Sequence, residues 1–357
     1  MADRELAVRL AATPAILDRL AQKREETGFD PLADLRRAAA LEPQNPARWM
    51  RLGNAAEWSG DDVLAETCFR RAVDLSNLYQ PRYLLAQYYF RRHDRATFER
   101  WAQDAFRKSY GDVSPLLDLC RRMQPDGDSF AQQALAAPAR LRGQFLTYLV
   151  KREESAPAGR LARTLALTAT PEDLAPLYGY CDLSLAQGDV SGAETVWNTL
   201  CRRGSIPYGS LDASAGASVT NADFERRALA AAFDWHVEAV NGIRIGERPR
   251  EWRADFSGEE PESCLFAWQY VPLVAGRRYR IEVSAVTVEG SAADGIGWSL
   301  FYRSPAGVWK EWIPGSDGLF TAQADIARLA LTYRRPWGSA RLLGTLALHG
   351  VRLEMVR

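Results

Sequence analysis

The chain has 357 residues, 47% of them hydrophobic, which exceeds one ordinary domain and supplies a core for two. Its 45 basic and 45 acidic residues cancel, which argues against non-specific nucleic-acid binding, a process driven by surplus Lys and Arg. Five cysteines without CxxC spacing and three histidines argue against a metal site and point to buried free thiols, which favour a reducing compartment.

In chain order, the apolar stretch from Leu6 to Leu20 is broken by Arg9, Asp18 and Arg19, so no export signal is expected. No run of eighteen apolar residues follows, so no membrane span is expected either. Residues 5–24 read as a leading helix. Asp30-Pro31 supplies an N-cap and a first-turn proline for a helix through Ala40, and Pro43 ends that unit. Residues 46–79 carry Trp49, Leu52 and Gly53 on a first helix, a Gly60-Asp61 turn, then Ala65, Phe69 and Ala72 on a second. Trp49 and Leu52 share one helix face. Small Gly53, Ala65 and Ala72 let the two helices approach, and Phe69 fills the space between them. These positions resemble the tetratricopeptide repeat, with Ala56 in place of its usual Tyr. Weaker copies follow at Tyr83, Ala86 and Phe90 with Phe98, Ala102 and Ala105, then at Leu116, Leu119 and Met123 with a short helix over 130–136. Two further helical segments span 141–168. The pattern returns at Leu177, Tyr180, Cys181 and Gly188 with Ala193, Trp197 and Leu200. About five units exceed the minimum of three that stacking requires.

After Arg203 the texture changes. Residues 204–220 are rich in Gly, Ser and Ala, a boundary signal. Beyond them the period is two: Tyr279, Ile281 and Val283; Trp298, Leu300 and Tyr302; Leu329, Leu331 and Tyr333. Eight to ten short strands between Gly, Pro and Asp turns predict an antiparallel two-sheet sandwich. The expected fold class is therefore α + β in separate domains: a helical solenoid over residues 1–205, a linker over 206–218 and a β-sandwich over 219–357.

The sandwich opens with Thr220-Asn221-Ala222-Asp223-Phe224-Glu225, followed by Phe233-Asp234-Trp235. It continues with Trp268-Gln269-Tyr270-Val271-Pro272-Leu273, then Gly276-Arg277-Arg278-Tyr279-Arg280-Ile281, and closes on Gly350-Val351-Arg352-Leu353. This order resembles jelly-roll carbohydrate-binding modules. His349-Gly350 stand where some of those modules carry an acidic pair that helps hold calcium, which removes the basis for that ion here. Helical repeats followed by such a sandwich are similar to a bacterial group associated with exopolysaccharide biosynthesis and export, usually anchored in the cell envelope. The resemblance implies a scaffold that holds a protein partner on its helices and a polysaccharide on its sandwich.

Catalytic machinery is not legible. His93, His236 and His349 are scattered, and no nucleophile elbow, zincin, Walker A or dinucleotide fingerprint is present. Glu259, Glu260 and Glu262 adjoin one another on a Pro261 turn and cannot flank a glycosidic bond at the ~5–9 Å that hydrolysis needs. The expectation is a binding protein without cofactor or metal, not an enzyme. Seven of the eleven tryptophans lie in the sandwich. Alternation assigns Trp298 and Tyr333 to the core. Trp309, Trp312 and Trp337 fall in loop-rich stretches and are candidate sugar-stacking residues, with Arg334 and Arg335 beside Trp337 as partners for an acidic sugar. On the helices, Asn54, Trp58, Tyr88, Arg91, Arg92 and Arg121 face away from their partner helices and predict a groove for an extended peptide with carboxylate groups. The alternative is a structural adaptor whose sandwich binds no sugar.

Overall fold

The structure is a computed structural model describing residues 13–124, 126–248, 250–290, 295–304 and 306–356. Twelve helices fill the described chain to Arg202, and ten strands follow from His236, so helix and sheet are segregated as the periodicities predict. The helices are α1 Pro14–Glu26, α2 Leu32–Leu41, α3 Pro46–Trp58, α4 Asp62–Leu75, α5 Tyr79–Arg91, α6 Arg95–Lys108, α7 Ser114–Met123, α8 Gly127–Ala136, α9 Ala139–Lys151, α10 Ser155–Ala166, α11 Leu174–Gln187 and α12 Val190–Arg202. Residues 5–12 of the expected leading helix lie outside the described residues.

One device ends the first helix of a pair and starts the second. Gly60, His93 and Gly188 all adopt positive φ, and each is followed by an aspartate. The amides of Asp61, Asp94 and Asp189 reach back five residues, to the carbonyls of Ala56, Tyr89 and Ser184, closing the preceding helix as a Schellman motif. Their carboxylates then accept the amides of Leu64, Thr97 and Gly192, capping the next helix. Glu153 (φ 57°) repeats the backbone half of this device ahead of α10, with the Glu154 amide donating to the Leu149 carbonyl.

Close packing in the α3/α4 pair depends on Gly53. A Cβ added there would stand 2.8 Å from the Phe69 ring and 3.2 Å from the Cys68 Cβ, while Ala65, Phe69 and Ala72 are fully buried. Alanine for glycine inside a helix ordinarily gains about 1 kcal/mol. Here the ring has to move, at an overpacking cost of roughly 1–3 kcal/mol. Gly53→Ala is expected to lower the thermal midpoint; a raised midpoint would show that Phe69 has room to yield.

The chain divides into two compact units, 1–148 and 149–357, with the division inside α9. In the first unit the rings of Phe106 and Phe130 both pack on Phe145 at 5.3 Å, and Tyr148 joins Phe130 at 5.5 Å. In the second unit α10–α12 accompany the strands. The stretch expected as a linker, 206–218, is held down: Ile206 and Leu211 are buried, Tyr208 stacks on Trp197 at 5.8 Å, and the Asn198 side chain bonds both the amide and the carbonyl of Leu211. Small residues let this segment follow the helix closely, and three aromatic or aliphatic anchors fix it there.

The strands are β1 His236–Val237, β2 Ile243–Arg248, β3 Glu251–Ser257, β4 Ser263–Pro272, β5 Arg278–Gly290, β6 Ile296–Arg303, β7 Trp309–Trp312, β8 Leu319–Thr321, β9 Ile326–Arg334 and β10 Leu343–Val356. They form two five-stranded antiparallel sheets, ordered β1-β4-β9-β6-β7 and β2-β3-β10-β5-β8. Their facing sides bury Trp235, Trp252, Phe266, Tyr279, Leu300, Leu329, Leu331, Tyr333, Leu346 and Val351. Trp298 packs on this core from its margin. On β9 the core takes Ala327, Leu329, Leu331 and Tyr333, so period-two geometry turns Arg328, Ala330, Thr332 and Arg334 to the opposite face. That face carries the candidate site.

Candidate functional site

The side of sheet β1-β4-β9-β6-β7 away from the core carries a ladder of flat groups. Register places Tyr270 of β4 opposite Arg328 of β9, with Phe301 of β6 on the other side. The Arg328 guanidinium lies 4.2 Å from the Trp268 ring centroid and 4.0 Å from that of Trp309. It is therefore held between two indoles, the geometry in which the ring quadrupole attracts a cation. Arg328 Nη2 donates to the Tyr270 hydroxyl at 2.9 Å. Trp268 is fixed from two further directions: its Nε1 donates to Glu238 at 2.8 Å, and His236 stacks on it at 4.0 Å, nearly parallel.

Arg328 differs from most arginines of the chain. Its Nε is buried and donates to nothing, and among the described residues no carboxylate lies within ion-pair distance of it. A guanidinium is a rigid fork of donors matched to carboxylates and phosphates. The arrangement thus holds a pre-oriented cation flanked by indole surface.

No protein-family profile matches this chain, and no curated protein is significantly similar to it.

The residues expected from sequence are distributed differently. Trp309 joins the ladder. Trp312 pairs with core-facing Leu300 and so points to the other side of its strand, where it is 46% exposed. Trp337 is fully exposed in the β9–β10 loop. The three tryptophans do not converge on one platform. Arg334 and Arg335 are not waiting for a ligand carboxylate: Arg334 pairs with Glu311, and Arg335 bonds Glu262 at 2.8 Å and the Ser339 carbonyl. Sequence reading missed Arg328, Trp268 and Tyr270. The available signal was alternation, since the period that sends Ala327 and Leu329 inward leaves Arg328 between them on the outer face.

In the helical unit, Asn54 and Trp58 line a cavity of about 700 Å³ with Phe29, Pro31 and Arg51, and Trp58 is 93% exposed. The other expected groove residues are engaged. Tyr88 is buried, with its hydroxyl donating to the Asp62 carbonyl at 3.0 Å. Arg91 holds Glu57 through two 2.6 Å bonds. Arg92 pairs with Asp62 and lies over the Tyr88 ring. Arg121 donates to the Gln124 carbonyl at 3.0 Å. Arg91 and Arg92, which look free along a helix face in sequence, are neutralised here by carboxylates of the preceding helix pair.

Glu260 is also structural: it is buried and accepts the Leu342 amide at 3.0 Å. Burial pushes the thiols of Cys68 and Cys120 up to about 11 and about 12, well away from the thiolate that nucleophilic or metal chemistry uses. Among the described residues, no helix is long and apolar enough to cross a membrane.

Asp182 of α11 accepts the Ala232 amide at 2.8 Å, tying the helix to the loop before β1 within the second unit. Burial holds the Asp182 carboxyl above the ordinary aspartate range, against the opposing pull of the Ala232 N–H and of His236. A carboxyl raised in the folded state contributes stability below its unfolded value and loses it as pH climbs through the folded value. His236 is lowered chiefly by burial, and Asp182 opposes that shift, so Asp182→Asn reads the two groups together. We expect the stability advantage of wild type over Asp182→Asn to shrink as pH rises from 4 to 8 in urea titrations. An advantage that grows with pH would show that the charged form is the favoured one.

Proposed function

We propose that this protein is a non-catalytic accessory or scaffold protein whose sandwich binds an acidic glycan and whose helical repeats hold a protein partner. The observation that carries this reading is Arg328, stacked between Trp268 and Trp309 on the face of its sheet away from the sandwich core, without a carboxylate partner. Sugars present C–H-rich faces that lie well on indoles, and a uronate or similar substituent matches the guanidinium fork. Trp309 supplies the open end of the ladder. On the helices, the cavity beside the exposed Trp58 suits an aromatic or aliphatic side chain of an extended segment.

The repeat pattern of residues 46–79 and the opening and closing motifs of the sandwich support placing the chain among tetratricopeptide proteins with a carbohydrate-binding-module-like domain, in bacterial surface-polysaccharide assembly at the cell envelope. An adaptor whose sandwich binds no sugar is the competing reading, favoured by the near-complete burial of Trp268 and Tyr270. Affinity electrophoresis of the full chain decides between them. Retardation in gels containing a uronate polysaccharide, and weaker or no retardation in a neutral one, is the expected result. Equal mobility in both and in a blank gel would reject glycan binding.

A further inference from the structure

A second pocket on the sandwich is built from different residues. A cavity of about 630 Å³ is lined by Arg226, Arg227 and Arg248 with Glu225. Glu225 does not neutralise it, because its carboxylate is taken by Arg250 at 2.8 Å. Arg226 is exposed, and its guanidinium makes no hydrogen bond or ion pair among the described residues.

Arg226, Ala228 and Arg248 also line a smaller recess that reaches Glu251 and Trp252, with room of about 10 Å³, the size of one water or one hydroxyl group. Two polar atoms of the residues lining it are buried without a hydrogen bond: Trp252 Nε1, on a side chain 98% buried, and Glu251 Oε1. Arg248 forms a long ion pair with that Glu251 oxygen, at 4.0 Å. A donor and an acceptor left without a hydrogen bond at such depth cost about 1–3 kcal/mol each. A hydroxyl can accept from an indole N–H and donate to a carboxylate. The mouth above it carries the exposed Arg226.

We propose that this pocket takes an anionic sugar, one hydroxyl entering the recess between Trp252 Nε1 and Glu251 Oε1 while its carboxylate or phosphate lies on Arg226 and Arg248. The proposal rests on the reading of the sandwich as an acidic-glycan binder and adds a subsite to it. The test is calorimetric titration of the full chain with glucuronate, glucose, acetate and inorganic phosphate, repeated on Arg226→Gln, Trp252→Phe and Trp309→Ala. Glucuronate is expected to bind at least tenfold more tightly than glucose or acetate. Arg226→Gln, on the exposed rim where folding is not at stake, is expected to weaken it tenfold or more. A folded Trp252→Phe is expected to lose the preference for glucuronate over acetate. Unchanged affinity in Arg226→Gln, or no glucuronate binding, would overturn the proposal. So would acetate or phosphate binding as tightly as glucuronate, which would mark a bare anion site. Loss in Trp309→Ala but not in Arg226→Gln would place the sugar on the aromatic ladder alone and leave the first reading standing without this one.

Discussion

Replacing Arg328 by alanine is expected to weaken binding to a uronate polysaccharide by ten- to a hundredfold while the protein stays folded. A charge-assisted hydrogen-bonded pair contributes roughly 1.5–3 kcal/mol, and the two indoles that orient the guanidinium lose their spacer at the same time. Trp309→Ala removes the open face of the ladder and is expected to fall in the same range. Arg328→Lys retains the charge but not the planar fork, so an intermediate loss follows if bidentate recognition is at work. Trp312, on the opposite side of its strand, and Trp337, exposed in a separate loop, serve as controls whose alanine variants are expected to bind as wild type does. Retardation in affinity gels, with circular dichroism to confirm folding, measures all five variants. Loss in Trp337→Ala with full binding in Arg328→Ala would move the site to the loop and reject the ladder.

The order of that result reflects what the sequence carried. Local signals were strong where a residue's role depends on its neighbours along the chain. Gly53 and Phe69 announce a close helix pair, and Gly60-Asp61 and Gly188-Asp189 announce a turn that ends one helix and caps the next. Period-two runs at Tyr279–Val283 and Leu329–Tyr333 give strands with a buried face. What was not legible depends on register between strands distant in sequence. Arg328 is an unremarked polar position of β9 until β4 brings Tyr270 opposite it and β7 carries Trp309 over it. Conversely, Arg91, Arg92, Arg334 and Arg335 look available until Glu57, Asp62, Glu311 and Glu262 are placed beside them. Charge pairing across elements is the information that a single sequence lacks, and it reversed the choice of arginine.

The stability of the second unit is expected to hinge on Asp234. Its carboxylate is fully buried and accepts three donors: the Leu229 amide, the Trp235 amide and the Tyr208 hydroxyl, each at 2.8 Å. Those donors come from the segment after α12 and from both ends of the loop that opens the sandwich. The same loop contains Ala230 and Ala232 at φ 54° and 51°, a left-handed conformation that costs an L-residue roughly 1–2 kcal/mol each. Asp234 and Asp182 hold the loop against that strain. Removing the carboxylate leaves buried donors unsatisfied, at about 1–3 kcal/mol apiece, and releases the loop from the Phe233 and Tyr208 rings that pack on Trp197. Asp234→Ala is therefore expected to cost about 3–5 kcal/mol, a large share of the stability of a domain this size. Asp234→Asn, which keeps the shape but exchanges one acceptor for a donor, is expected to cost less. Ala232→Gly in the Asp234→Ala background is expected to recover about 1 kcal/mol by relieving the backbone. Urea unfolding followed by tryptophan fluorescence reads each step, because Trp197 and Trp235 sit on either side of the anchor. A loss below 1 kcal/mol in Asp234→Ala would mean that the loop keeps its course through packing alone.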